Sequence, residues 1–357
     1  MDNTIEKPKI FPEGHYRFDE INKYIKKNRP VLVDVYDNQL QELYEINNAD
    51  KIFDKNFAEN KQKFAKKMSA DTSGGSWIYF GWNNLFIHIL NEKDYYKLRT
   101  NRNRNLISQN EQLKLKGARI GVVGLSIGAA FARNLVQQGI GKYLKLAEFD
   151  DLATSNLNRI FARSYEIGQP KLGLIAKQIY EIDPYWNLEL YPQGLDELNF
   201  NNFLMKPFEV DVILEAIDNL KIKIKLRITA RQNKIPVVMF TNLGDSVMID
   251  VERFDLNSNV DLFNGIIGDV PEKILKDEID PKNINKYVTE LVSVANTPKR
   301  ALDSLALIGK ELVGRPQLSS SVNISGGLAS YVCRKIILKE NLPSGRFILK
   351  FDSIFKN

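Results

Sequence analysis

The chain reads as an α/β protein: a doubly wound, mostly parallel sheet, preceded by a small α+β region. Three observations predict this. Arg119-Ile-Gly-Val-Val123 is a short apolar run that ends in a glycine turn and then a helical apolar pattern. Apolar runs of this kind fill buried parallel strands, and glycines there let backbone approach a phosphate. A second run closes on Glu148-Phe-Asp150, putting acids at the strand end where a nucleotide ribose sits. Strand and helix patterns then alternate to about residue 240.

The elements follow in order. Residues 1–98 form an accessory region. Pro30 to Val35 reads as a strand and Leu40 to Ile46 as an acidic helix. Trp77–Trp82 and Leu85–Leu90 read as a hairpin turning at Asn83-Asn84. From residue 99 the pattern predicts strands over 119–123, 143–149, 187–191, 211–216 and 236–240. It predicts helices over 128–138, 171–182 and 220–233. In the first helix Phe131, Ala132, Leu135 and Val136 share a face. Residues 256–320 read as a helical insertion, strongly periodic from Lys299 to Leu312. Gly326–Lys335 reads as a last helix and Ser344–Asp352 as a last strand.

Composition bounds the function. The 357 residues include 43% hydrophobic ones, ample for a core, with a net charge of +6. That modest balance suits an anionic small molecule, and no aromatic-basic module points to nucleic acid. No run reaches the ~20 apolar residues of a membrane span, and the N-terminus lacks an apolar signal region. The expected location is the cytoplasm. The one cysteine, Cys333, excludes an internal disulfide and a cysteine zinc site. Its neighbours Val332, Ile336 and Ile337 make it a core thiol. His15 and His88 read as surface or packing residues.

The site candidates lie at strand ends. Gly124, Ser126 and Gly128 form the turn before the first helix, whose N-terminus attracts phosphate. Asp150 suits ribose hydroxyls, or caps a turn. Asn156 and Arg159 are three apart and share a face if helical. Arg159 offers a planar fork to phosphate oxygens, or a surface ion pair. Lys171 opens a helix after Pro170, against the helix dipole, so an anion is expected beside it; the α-phosphate is the candidate. Asp218 closes a buried strand, where it holds magnesium or caps the next helix. Glu148 and Glu215 are weaker metal candidates. Acids for a sugar combined with an arginine and a lysine indicate a nucleoside triphosphate.

From about Arg99 onward the chain resembles the ubiquitin-activating-enzyme superfamily, in its ThiF/MoeB-type adenylyltransferases with their Rossmann-like sheet. The points of likeness are the glycine loop, Asp150, Ser155-Asn156-Leu157-x-Arg159, Lys171 and Asp218-Asn219. Within that group it looks closest to the adenylyltransferase half of ThiF–nitroreductase fusion proteins. The carriers of that likeness are the Gly-Leu-Ser-x-Gly loop, Thr100–Asn105 and Val251–Asp255. The resemblance implies ATP and Mg2+ as cofactors, no zinc, and Arg159, Lys171, Asp218 and Arg104 as catalytic residues. Arg104, or Arg102 beside it, would cross a homodimer interface to the partner's triphosphate. It implies activation of a carboxylate as an acyl-adenylate, on a small ubiquitin-like carrier, a peptide or a small acid. A nitroreductase-like partner is a further expectation.

Departures from the pattern are local. Ser126 replaces a second glycine, and Glu148 replaces the first acid. The Cys-x-x-Cys zinc pairs and the thioester-forming cysteine are absent. Two other readings stand beside adenylation: a non-catalytic nucleotide-binding scaffold of the same fold, and an NAD-dependent oxidoreductase. The second leaves Arg159 and Lys171 without a role.

Overall fold

The computed structural model describes residues 6–276, 278, 284–292 and 294–355. It divides into two compact units, residues 1–109 with 180–185, and residues 110–179 with 186–357.

The first unit runs β1 (Lys9–Phe11), α1 (Phe18–Asn28), β2 (Val31–Asp34), α2 (Tyr36–Asn47), α3 (Phe57–Ser69), β3 (Ser76–Phe80), β4 (Leu85–Ile89) and α4 (Glu92–Arg99). Its four strands are ordered β1-β3-β4-β2. The expected hairpin is present as β3 and β4, antiparallel, but Trp82 lies in the connecting turn rather than in a strand. Asn84 closes that turn at φ 51°, a left-handed conformation that asparagine tolerates. Tyr36, Leu40 and Leu43 of α2 bury against Ala65 and Leu90.

The second unit contains α5 (Gln109–Gly117), β5 (Arg119–Val123), α6 (Gly128–Gln138), β6 (Tyr143–Ala147) and α7 (Lys171–Ile182), whose last residues join the first unit. It continues with β7 (Asn187–Tyr191), α8 (Phe200–Met205), β8 (Val212–Glu215), α9 (Leu220–Gln232), β9 (Val237–Asn242) and β10 (Ser246–Glu252). Then come α10 (Val270–Leu275), α11 (Ile284–Val292), α12 (Lys299–Leu305), α13 (Ser319–Ile337) and β11 (Gly345–Lys350). The seven strands are ordered β11-β10-β9-β8-β5-β6-β7. The five from β9 to β7 are parallel, and β10 pairs antiparallel with both β9 and β11. This is the mostly parallel, doubly wound sheet the sequence predicts.

Alternation along β5 shows the two layers. Gly121 faces Phe203 of α8, and Val122 faces Gly128 of α6. α13 lies against α6 closely: a Cβ at Gly326 would sit 2.9 Å from the Ala130 carbonyl oxygen. Both faces are covered, which is why Ile120–Val123 of β5 and Val212–Leu214 of β8 are continuous apolar runs rather than alternating ones.

Four expectations need correction. The strand expected over 143–149 ends at Ala147, because the Glu148 carboxylate turns to bind backbone amides. The helix expected over Lys299–Leu312 ends at Leu305. Gly309 takes φ 79°, and a tight loop bonds Leu312 N to Leu307 O at 3.0 Å. The insertion is only partly helical, and its residues 277, 279–283 and 293 lie outside the described residues. β10 is a fully buried strand that the alternation argument omits, since two of its residues are acids.

Candidate nucleotide site

The turn after β5 is built by close backbone approach. Gly124 has φ 84°, and a Cβ there would lie 2.4 Å from the Ala216 oxygen. Only glycine fits without strain. Gly124 N donates to Ala147 O at 2.9 Å, and Ala216 N donates to Val123 O at 2.8 Å. The carboxyl ends of β5, β6 and β8 are thereby tied around one loop, the position where open α/β sheets bind ligands.

Glu148 organises this edge. Its carboxylate is buried and accepts from three backbone amides: Leu125 N at 2.7 Å, Phe149 N at 2.8 Å and Asp150 N at 3.0 Å. Charge-assisted bonds of this kind are among the strongest in proteins. Glu148 therefore splices the glycine turn to the acid segment and leaves no oxygen directed at a metal. Sequence reasoning assigned it no such part. The signal was an acid at a strand end whose neighbour, Asp150, already supplies an exposed carboxylate.

Asp150 stands half-exposed at the loop mouth. Its Oδ2 accepts from Lys171 Nζ at 2.9 Å, and its carbonyl accepts from Lys171 N at 3.0 Å. Lys171 is buried at the start of α7. The anion expected beside it is thus present within the chain, in Asp150.

Arg159 is half-buried across the turn. Its Nε donates to Ser126 Oγ at 3.2 Å, and its Nη1 to Asn158 Oδ1 at 2.9 Å. Burial holds its guanidinium below the usual arginine range, while the Asp218 carboxylate pulls it back up. Arg159 and Asp218 are thus near enough to act on one another electrostatically. Ser126, in place of a glycine, serves as a tether for the arginine. The helical face expected for Asn156 and Arg159 is absent. Thr154–Asn156 is one 3-10 turn, and buried Asn156 closes it by accepting from Ala153 N at 3.0 Å.

Asp218 is exposed beyond the end of β8, and it is not the cap of α9. Asn219 is: its side chain accepts from Ile222 N at 3.1 Å. Glu215, just below, is fully buried between Lys223 and Arg227 at 2.7 and 2.9 Å, so it is not available to a metal. Among the described residues no group of three His, Cys, Asp or Glu side chains is arranged to hold a metal. One exposed carboxylate nevertheless suits magnesium, which takes most of its ligands from water and phosphate.

The structure thus brings Gly124, Ser126, Gly128, Asp150, Arg159, Lys171 and Asp218 to the carboxyl edge of one sheet, with Asn156 holding the turn beneath. Arg102 and Arg104 are exposed and belong to the other unit. Cys333 is buried in α13, and burial pushes its thiol well above the usual range, so it is no thiolate nucleophile.

A family model described as the ThiF family matches residues 100–355. The uncharacterized protein MT1398 of Mycobacterium tuberculosis is 34% identical over 76% of the chain. A molybdopterin-synthase adenylyltransferase of Haemophilus influenzae is 29% identical over 41% of it. The chain spans 37% of the length of the first and 60% of the second. The crystal structure of E. coli MccB with ATP aligns with a TM-score of 0.51 at 17% identity, over 87% of this chain and 79% of that one. That likeness is one of fold. No helix among the described residues is long and apolar enough to cross a membrane.

Proposed function

The chain belongs to the ThiF family, and from that premise we propose that it is an ATP-dependent adenylyltransferase that activates a carboxylate. The observation that carries this reading is the meeting of a buried lysine, a half-buried arginine and an exposed aspartate around a glycine turn. A hydride-transfer site has no use for that set.

The chemistry follows from the residues. The glycine turn and the start of α6 offer backbone N–H groups to phosphate. Asp150 accepts from ribose hydroxyls. Magnesium, when bound, screens the phosphate charge and draws on Asp218. The substrate carboxylate oxygen attacks the α-phosphorus, the bond to the bridging oxygen breaks, and pyrophosphate leaves with its electron pair. Negative charge grows on the α-phosphoryl oxygens during this step. Arg159 and Lys171 are fixed before the reaction, by Ser126 and Asp150, so they stabilise that charge with little reorganisation. With Cys333 buried, the adenylate passes to a nucleophile other than a cysteine of this chain.

The test is titration calorimetry with ATP·Mg2+ and with NAD, followed by pyrophosphate exchange. ATP is expected to bind more tightly and to need magnesium for tight binding. Tighter NAD binding, with ATP indifferent to magnesium, overturns the reading. ATP binding without exchange under any carboxylate supports a scaffold instead.

We further propose a homodimer in which Arg102 or Arg104 reaches the partner's nucleotide. The motive is an exposed arginine pair, Arg102 on the short turn at Asn101–Asn103 and Arg104 just after it. Mixed Arg104→Ala and Asp218→Ala subunits are expected to regain activity at one of two sites. If neither this mixture nor the Arg102→Ala equivalent recovers exchange, the crossing arginine is wrong.

A further inference from the structure

A pocket lies beside the candidate nucleotide site, at the same edge of the sheet. Its floor is the end of β9 with the following turn, Thr241 to Gly244, and its walls come from α11, α12 and the segment Arg315-Pro316. Val288, Val292, Ala301 and Leu305 make these walls mostly apolar. Besides three threonines, two polar groups stand out in the lining, Asn242 in the floor and Arg315 in a wall. The Asn242 amide bonds at one end to Ser325 of α13, at 2.7 Å, while its other end is buried without a partner. Arg315 is exposed and forms no ion pair among the described residues.

The pocket is coupled to the phosphate side through the chain. Gln317, next after the wall residue Pro316, accepts at its carbonyl from Asn158 Nδ2 at 2.9 Å. Asn158 in turn accepts from Arg159. A group seated here is therefore held one short segment from the arginine that faces the α-phosphate in the reading above.

We infer that this pocket receives the side chain of the carboxylate substrate, which carries an aliphatic or aromatic group rather than ending in a bare Gly-Gly tail. The inference rests on the adenylation reading and narrows its substrate. Apolar walls with a few set polar groups form a ligand pocket, not a channel for extended glycines. A Gly-Gly tail would leave the apolar walls wet and give nothing to fill them. The unpartnered end of the Asn242 amide suits a polar backbone group beside the side chain. Arg315 at the rim suits an anionic part of the same molecule.

Three matched probes test it: N-acetylglycine, N-acetylleucine and N-acetylphenylalanine, each as the acid in pyrophosphate exchange. They share the carboxylate and the amide and differ only in the side chain. The leucine or phenylalanine acid is expected to exceed the glycine acid at least ~10-fold in kcat/KM, the scale on which apolar pockets discriminate. Ala301→Trp, which fills the pocket from α12, is expected to erase that preference while KM for ATP stays unchanged. N-acetylglycine serving equally well overturns the inference, as does a preference untouched by Ala301→Trp. Either result leaves adenylation standing. If no probe supports exchange although magnesium-dependent ATP binding is intact, the inference is overturned, and exchange with other carboxylates then decides between adenylation and a scaffold. Loss of ATP binding itself, read by calorimetry without any acid, identifies failure of the adenylation reading.

Discussion

Asp218→Asn is expected to cut pyrophosphate exchange on the order of 10²–10³-fold, the scale seen when one preorganised electrostatic group is removed from a reaction centre. The fold should be untouched. Asp218 is exposed, and the cap of α9 is supplied by Asn219, so the substitution removes no hydrogen bond on which the helix depends. Exposed substitutions of this kind stay within about 0.5 kcal/mol. What is lost is one negative charge beyond the end of β8, near enough to act on the Arg159 guanidinium. ATP without magnesium should bind as before or more tightly, since a like charge has gone. Magnesium should no longer tighten it. Calorimetry with and without the metal, beside exchange assays and a thermal melt, separates these terms. Normal exchange at ordinary magnesium would show that the carboxylate has no part in the chemistry.

Arg227→Met should be the most destabilising single change, by about 3–5 kcal/mol, the range for breaking a buried ion pair from one side. Arg227 is wholly buried between two wholly buried carboxylates. It donates to Glu215 at 2.9 Å and to Glu252 at 2.7 Å, and it lies 4.1 Å from the centre of the Phe263 ring. Methionine fills similar space but leaves both acids without their arginine. The melting temperature should fall by roughly 10 °C.

The pH dependence carries a sign. Burial pushes both acids up. At Glu215, Lys223 and Arg227 outweigh burial and hold it below the usual range, whereas Glu252 stays raised. Without Arg227 both carboxyls move up, Glu252 further above the usual range and Glu215 from below it. A carboxyl whose folded pKa exceeds its unfolded one contributes stability at low pH and loses it as pH rises through the folded value. The deficit of Arg227→Met should therefore be larger at pH 8 than at pH 5. Melts at the two pH values check this. A melting point within about 2 °C of the parent at both would mean that the network contributes little.

The parallel part of the sheet was legible because each strand is buried on both faces, and burial on both faces leaves a continuous apolar run such as Val212–Leu214. The glycine turn was legible because Gly124 must approach the Ala216 carbonyl and nothing larger fits. β10 was not legible. Asp250 and Glu252 interrupt the apolar pattern, yet each is buried and paired with an arginine from another element, Arg346 and Arg227. No local pattern reveals a partner 96 residues away. The candidate residues Asp150, Arg159, Lys171 and Asp218 were legible as types at spacings. Their partners were not.

By itself, then, the sequence determined the α/β class, the glycine turn, the charged set at the strand ends and the absence of an exposed thiol. These rest on local chemistry: side-chain size at a tight turn, hydrophobic period, and the position of an acid after a strand. Tertiary structure alone decided the parts that depend on convergence. It put Lys171 on Asp150, gave Ser126 to Arg159 and spent Glu148 on three amides. It assigned the α9 cap to Asn219, releasing Asp218. It also set an apolar pocket, built from α11, α12 and the end of β9, beside the charged edge. The physical reason is common to all of these. Which carboxylate is consumed by the fold, and which is left for chemistry, depends on donors brought near by folding, and donor proximity is not written in spacing along the chain.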